Sequence, residues 1–120
     1  MNYYIGIDLG TSSCKGILVD EQGMIHRESS ADYPVLYPHD NWTEQNPSEW
    51  LTAAKKVLTI LSSGVSREVR GMSFGGQMHG LVVLDENDNV IRPCILWNDG
   101  RTEKQVEYLN NEQTNCCIEL

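Results

Sequence analysis

The chain has 120 residues, which is enough for one domain with a hydrophobic core. Its net charge of −8, with no basic run, argues against a nucleic-acid-binding surface, because phosphate recognition depends on clustered Lys and Arg. No apolar run approaches the roughly 20 residues that a membrane-spanning helix needs, and the N-terminus lacks the pattern of a signal peptide. We therefore expect a cytoplasmic protein that binds neither nucleic acid nor membrane.

Residues 5–19 have the pattern of a strand, a tight turn and a second strand. Ile5 and Ile7 alternate with smaller or polar residues, and residues 17–19 form a short apolar run. Gly10, in the turn between them, lets a ligand approach the backbone closely. A plain hairpin with a glycine turn is the alternative, and the spacing alone does not decide between the two.

The chemistry of this turn suits a nucleotide's phosphates. Thr11, Ser12 and Ser13 supply hydroxyls and amide N–H groups, which can form a concave nest for phosphate oxygens. Asp8, at the end of the first strand, suits a hydrated Mg²⁺ ion, which favours one or two carboxylates plus waters and substrate phosphates. The stretch therefore predicts a site for phosphates and magnesium.

The following residues alternate between sheet and helix signals. Residues 20–23 predict a turn, residues 24–30 a third strand, and residues 31–45 an irregular but ordered loop. Asn46 and Pro47 mark a strong helix start, and the apolar spacing continues to about Ser62, with Gly64 as the stop.

The second half predicts more strands and one helix. Residues 68–74 predict a buried strand, and residues 81–84 and 90–97 predict a second hairpin, with Pro93 indicating an edge or a bulge. A helix is expected over about residues 103–111, and residues 113–120 show no clear pattern. These elements together suggest a mixed α/β layer with a partly antiparallel sheet.

The cysteines predict no metal site and no disulfide. The chain has four of them, without a Cys-x-x-Cys pair or a zinc-ligand spacing to histidine. Reduced thiols that pack as small apolar groups are the favoured interpretation of Cys14, Cys94, Cys116 and Cys117.

Three further motifs carry polar side chains suited to a sugar. Gln77, Met78 and His79 lie between glycines, and the alternative there is a mobile loop with an exposed histidine. Residues 97–101 suit a polyol-binding edge with the Trp97 ring as a platform; alternatively, Asp99 pairs with Arg101 and the Trp97 ring fills the core. For residues 42–45, a loop anchored by the tryptophan is the favoured interpretation.

These motifs resemble those of a known family. Residues 5–12 are similar to the first phosphate motif of the actin-like ATPase superfamily. Residues 42–47, 75–80 and 95–102 together resemble the FGGY carbohydrate kinases, and within them the kinases of D-xylulose. The resemblance implies an α/β fold: a ribonuclease-H-like (actin-like ATPase) unit with a mixed sheet, antiparallel hairpins and flanking helices. Residues 1–120 would be the N-terminal part of the first lobe.

The resemblance also implies a reaction, in which the γ-phosphate of ATP passes to the 5-hydroxyl of D-xylulose with Mg²⁺ as cofactor. Asp8 would lie near the metal, through water, and matter for activity. Three turn residues would face the phosphates: Gly10, Thr11 and Ser12. Five residues would bind or support the sugar: Gln77, Met78, His79, Asp99 and Arg101.

One departure limits these expectations. Family enzymes are several times longer, and their catalytic-base Asp lies beyond position 120, as do the second lobe and the adenine pocket. We therefore expect the 120-residue chain alone to be inactive. The alternatives are a kinase of another pentulose or polyol, or a non-catalytic truncated binding module. A homodimer is compatible with the resemblance.

Overall fold

The computed structural model describes residues 1–112, which form a mixed sheet with one helix packed on it and a second helix at the end. The strands are β1 (Tyr3–Leu9), β2 (Ser13–Asp20), β3 (Ile25–Asp32), β4 (Glu44–Gln45), β5 (Val69–Gly76) and β6 (Cys94–Ile95). The helices are α1 (Pro47–Ser62) and α2 (Glu103–Glu112), and a single 3₁₀ turn, Ser66–Glu68, precedes β5.

The main sheet has the strand order β3-β2-β1-β5 within the described residues. Strand β2 pairs antiparallel with both β1 and β3, whereas β5 runs parallel to β1. The two short strands β4 and β6 pair antiparallel as a separate unit. The predicted mixed sheet with antiparallel hairpins is confirmed.

Helix α1 begins and ends where the sequence predicts. The Asn46 side chain accepts a hydrogen bond of 3.0 Å from the Ser48 N–H, and Pro47 occupies the first turn, where its missing N–H costs nothing. After Ser62 the chain turns away at Gly64, whose φ of 74° is easily adopted by a residue without a Cβ atom.

The core lies between α1 and the first three strands. The helix packs closest at Gly16, where a Cβ atom would come within 2.6 Å of Val57 and 2.8 Å of Leu61. The buried apolar residues of this cluster are Ile5, Ile7, Cys14, Leu18, Tyr33, Ala53, Ala54, Val57 and Leu61.

The predicted second hairpin is wrong as a pair of strands. Between residues 81 and 97, only an isolated bridge between Leu84 and Val90 and the short β6 form. The Asp85 carboxylate accepts hydrogen bonds from the amides of Asn87 and Asn89, which closes the turn, but Leu84 is exposed. Without a layer to pack on, the flanking segments gain too little to form a regular ladder.

The prediction of a buried strand at residues 68–74 is correct for the strand and wrong for its burial. Met72 and Phe74 in β5 are 54% and 55% exposed. They lie beside Ile5 and Ile7 in the parallel pairing, but α1 covers mainly β2 and β3. The helix therefore leaves the β5 side of this face open.

The thiols of Cys14 and Cys94 are free and buried, and burial raises the pKa of both. This confirms their predicted role as small apolar groups; Cys116 and Cys117 lie outside the described residues. No helix within residues 1–112 has the length and apolar character needed to cross a bilayer.

Candidate active site

Residues 10–13, the phosphate turn predicted above, and residues 75–80, the glycine loop, lie side by side at the carboxyl ends of two neighbouring strands. Strands β1 and β5 are parallel neighbours, with Asp8 opposite Gly75 and Leu9 opposite Gly76, so the segments that follow them leave the sheet side by side. Clefts outside the carboxyl ends of parallel strands are the usual ligand sites of α/β sheets. A cleft of about 420 Å³ lies here, lined by Asp8, Gly10, Thr11, Gly76, Gln77, Met78, His79 and Trp97.

The turn after β1 directs its carbonyl groups into the protein. The Gly10 N–H and the Tyr33 hydroxyl both donate to the Ser13 carbonyl, each at 3.0 Å, and the hydroxyl also contacts the Gly10 carbonyl. The Tyr33 N–H donates to the Ser12 carbonyl at 3.1 Å, and Nε2 of Gln45 donates to the Thr11 carbonyl. All four consecutive carbonyls are therefore hydrogen-bonded from within.

This arrangement leaves two amide donors facing away from the protein. In a trans peptide the N–H points opposite to the carbonyl of the preceding residue, and the chain has no cis peptide bond in the described residues. Because the Gly10 and Thr11 carbonyls point inward, the N–H groups of Thr11 and Ser12 point outward, and neither donates to another described residue. Such a pair of amides suits an anion.

Tyr33 supports the turn from beneath as a neutral hydrogen-bond donor. Its ring is buried, and burial, followed by the charges of Cys14 and Asp8, raises the pKa of its hydroxyl to about 12. The hydroxyl therefore keeps its proton at neutral pH. The pattern of residues 31–45 does not predict this contact, because the hydroxyl reaches residues 20 or more positions earlier in the chain.

Asp8 is exposed at the end of β1, and Lys15 lies directly opposite it on β2. Both side chains border a second hollow of about 390 Å³, which continues along the sheet past Ser73. Lys15 carries no motif of its own, but the hairpin register across the four-residue turn pairs it with Asp8. Because paired residues on neighbouring strands share a face of the sheet, the ammonium group adds a positive charge on the face where Asp8 lies.

The glycine loop presents Met78 and His79 to solvent at the cleft. Met78 is 70% exposed, and His79 has a φ of 65°, in the left-handed region that a residue with a Cβ atom rarely adopts. Strained backbone of this kind clusters at functional sites. The next residue, Gly80, packs so closely that a Cβ atom would lie 2.8 Å from Cys94 Sγ. The loop is thus fixed in place by its glycine.

Gln77 lines the same cleft, but its amide is turned into the protein. Its Nε2 donates to Gln45 Oε1 at 2.9 Å, and its backbone N–H donates to the Leu9 carbonyl at 2.9 Å. Its Oε1 is buried and has no hydrogen-bond partner among the described residues. Of the three consecutive loop residues Gln77, Met78 and His79, Gln77 is therefore the one whose side chain is held from inside.

Trp97 lies at the cleft and outside the core. Its side chain is 56% exposed, and Nε1 donates to Thr11 Oγ1 at 3.3 Å. The structure thus favours the platform interpretation of Trp97 over the core interpretation.

Asp99 and Arg101 pair with each other, and neither is among the residues that line the cleft. The Arg101 guanidinium donates to Asp99 at 2.7 Å and to Glu44 at 2.9 Å, and it lies 3.9 Å from the centre of the Trp42 ring. The hydrogen bond from Arg101 lowers the pKa of Asp99 to about 2, and the same partner raises the pKa of Arg101. The alternative of an internal pair is confirmed.

The donor set at the turn fits a hydrated magnesium ion better than a fully protein-ligated metal. Within residues 1–112, no group of three or more His, Cys, Asp or Glu side chains could hold a metal ion. One exposed carboxylate, Asp8, beside outward amides and hydroxyls is the arrangement expected when waters and phosphates supply the other ligands.

Comparison with known proteins agrees with this geometry. Residues 3–118 match the N-terminal domain of the FGGY family of carbohydrate kinases. The chain is 46% identical to the xylulose kinase of Lactococcus lactis, over all of this chain and 25% of that protein. It therefore spans about a quarter of the length of such relatives.

Solved structures show the same fold. The ligand-bound xylulose kinase of Lactobacillus acidophilus superposes with a TM-score of 0.88 at 27% identity, over 93% of this chain and 23% of that one. The gluconate kinase of the same organism gives 0.87 at 27% identity, over 92% and 23%. The predicted actin-like ATPase fold is confirmed, and the chain belongs to the FGGY family of carbohydrate kinases, whose N-terminal domain it matches.

Proposed function

We propose that the protein containing this chain transfers the γ-phosphate of ATP to D-xylulose and forms D-xylulose 5-phosphate. The chain itself supplies the first phosphate turn and the sugar-binding loop. The observation that carries the proposal is the shared cleft of about 420 Å³, whose lining includes Asp8 and Thr11 as well as Met78 and His79. Cytoplasmic location and a homodimer stay predictions.

The turn forms the phosphate side. The outward N–H groups of Thr11 and Ser12, next to Gly10, bind phosphate oxygens, and Asp8 holds Mg²⁺ through water. When bound, the metal neutralises charge that develops on the phosphate oxygens during transfer. Lys15 adds a positive charge from the neighbouring strand. Phosphoryl transfer depends mainly on such positioning and charge stabilisation, so a rigid turn is the contribution expected here.

The glycine loop forms the sugar side. The His79 imidazole donates to or accepts from a sugar hydroxyl, Met78 supplies an apolar contact, and Gln77 completes the loop. The Trp97 ring borders the same space and offers a flat surface to the carbon skeleton. Asp99 and Arg101 support this side through their contacts with residues 42–44, at the base of the same cluster of loops.

Two observations bear on the identity of the sugar. Xylulose kinases are among both the sequence relatives and the structural neighbours, at up to 46% identity, and this supports D-xylulose. A gluconokinase of Bacillus subtilis is 34% identical over 92% of this chain, and a gluconate kinase superposes nearly as well. Another polyol is therefore the second candidate.

The test is a sugar-dependent ATP turnover assay on the protein as its gene encodes it. D-xylulose should give a higher kcat/KM than D-ribulose, D-gluconate or glycerol. A preference for another sugar would favour the second candidate, and binding of D-xylulose without turnover would favour a non-catalytic module.

A matched pair of variants tests the sugar loop. Met78→Ala should raise the KM for D-xylulose and leave the KM for ATP unchanged. Met24→Ala, at an exposed turn outside the cleft, is the control and should change neither. Equal KM values for the two variants would contradict the assignment of the loop to the sugar.

A further inference from the structure

Gln45 is almost fully buried, with 1% of its surface exposed, and makes three side-chain hydrogen bonds. Its Nε2 donates to the Thr11 carbonyl in the phosphate turn. Its Oε1 accepts from Gln77 Nε2 in the glycine loop and from Trp50 Nε1 on α1, each at 2.9 Å. One side chain therefore contacts both loops of the cleft and the helix behind them.

An amide is the group that this place requires. The Thr11 carbonyl needs a donor, whereas the N–H groups of Gln77 and Trp50 need an acceptor, and a neutral amide offers both. A carboxylate would keep the acceptor and lose the donor, and an apolar side chain would lose both. Buried polar groups left without partners are costly, so the three bonds fix one orientation of Gln45.

The Gln77 amide depends on Gln45 for its own orientation. Its Oε1 is buried without a partner in the described part of the chain, so the bond from Nε2 to Gln45 is the contact that holds the side chain. Gln45 is itself fixed from the other side, because it lies in β4 opposite Cys94, the residue that packs against Gly80.

We propose that Gln45 is a positioning residue, which couples the phosphate turn to the glycine loop without touching either substrate. The inference rests on the proposed function for its kinetic consequences and on the contacts alone for its structural ones. Two neighbours of Gln45 make comparable contacts: the Thr43 N–H donates to Asp99, and Glu44 accepts from Arg101.

The structural part is tested by amide hydrogen exchange on the protein as encoded, with no substrate present. Gln45→Leu should speed exchange of the hydrogen-bonded amides in both segments, Gly10 in residues 10–13 and Gln77 in residues 76–80. Each rate should rise on the order of fivefold, as expected for the loss of one hydrogen bond. Gln22→Leu, the same change at an exposed turn, should alter neither segment. An unchanged rate in either segment would overturn the coupling.

Two further variants each remove one contact of Gln45, either the contact with the phosphate turn or the contact with the glycine loop. They remain informative if Gln45→Leu does not fold. Gln45→Glu keeps the acceptor and loses the donor, so exchange should rise in residues 10–13 alone. Gln77→Leu removes only the hydrogen bond between the glycine loop and Gln45, so exchange should rise in residues 76–80 alone. If both variants affect the same segment, or both affect the whole chain equally, the assignment of the two contacts is overturned.

The kinetic part of the proposal is tested by measuring the KM for ATP and the KM for D-xylulose separately. Gln45→Glu should raise the KM for ATP, Gln77→Leu should raise the KM for D-xylulose, and Gln45→Leu should raise both by several-fold. If the unaltered protein phosphorylates none of the sugars, the proposed function fails while the exchange experiment still decides the coupling. If exchange responds and the KM values do not, the positioning role is overturned.

Discussion

At the residue scale, the cleft combines one exposed carboxylate with backbone donors that the fold has turned outward. Asp8 is at the surface, whereas Tyr33 and Gln45 are buried and donate hydrogen bonds to the carbonyls of the turn. Substitutions of these residues should therefore separate into those that change activity and those that change stability.

The first prediction concerns Asp8. Asp8→Asn should lower kcat/KM for D-xylulose phosphorylation on the order of a hundredfold or more, because the metal and phosphates lose a charged partner. The free energy of unfolding should stay within about 0.5 kcal/mol, since the side chain is exposed. Asp88→Asn, in an exposed turn, is the control. Activity close to that of the control would contradict the metal-side role.

The second prediction concerns the Asp99–Arg101 pair. The pKa of Asp99 is lowered to about 2, so the pair's contribution to stability is complete above the ordinary carboxyl pKa of about 3.9 and is lost as the pH falls toward 2. Urea unfolding between pH 5 and pH 2 should show a steeper loss of stability in the unaltered protein than in Asp99→Asn. Parallel pH dependences for the two proteins would contradict this prediction.

Individual site residues were predictable where the motif is local, and not where a distant contact decides. Asp8, Met78 and His79 follow directly from short segments and lie at the cleft as expected. The hydrogen bond between Arg101 and Glu44 joins residues 57 positions apart in the chain, and that between Gln77 and Gln45 joins residues 32 positions apart. A pattern along the chain gives no signal for such pairs.

At the scale of elements, the contact of α1 with β2 depends on a strand residue that has no side chain. Gly16 lets Val57 and Leu61 lie directly on the backbone of β2. The same helix leaves Met72 and Phe74 of β5 uncovered, so the packing is concentrated on one half of the sheet.

The third prediction follows from this contact. Gly16→Ala should destabilise the protein by about 1–3 kcal/mol, because the added Cβ atom overpacks the helix interface. Gly71→Ala is the matched control, since a Cβ atom there would lie 3.7 Å from Tyr4, which is ordinary contact. Equal midpoints of urea unfolding for the two variants would contradict the packing argument.

Helix α1 and the first three strands were predictable because capping residues, turn glycine and apolar period agree in those segments. The hairpin predicted at residues 81–97 was wrong as a pair of strands, because its short apolar runs have no second layer to pack against in the part of the chain that the structure describes. Exposed Leu81 and Ile91 lack that layer among the described residues. Pro93 removes a ladder donor as well.

At the scale of the whole molecule, the chain provides one wall of a site. It spans about a quarter of the relatives' length, and its cleft is lined by residues of the turn after β1 and of the loop after β5. We therefore expect turnover to require more of such a kinase than these residues.

The fourth prediction is that the 120-residue chain produced alone shows no D-xylulose-dependent release of ADP. The xylulose kinase of Lactococcus lactis, assayed in parallel, should show it. A chimera in which residues 1–112 replace the aligned first part of that enzyme should recover turnover. Sugar-dependent turnover by the isolated chain would contradict the prediction, and a folded but inactive chimera would count against the proposed function.

The connection between β3 and α1 tolerates less change in length than its irregular backbone suggests. Tyr33 and Gln45, near its two ends, both donate hydrogen bonds to carbonyls of the turn at residues 10–13. The distance between these two residues is therefore set by the shape of that turn. Insertions should be accommodated only at the outermost stretch, around the exposed Tyr37 and Asp40. Changes in length elsewhere in the connection should disturb the turn or the contacts that residues 42–44 make with Asp99 and Arg101.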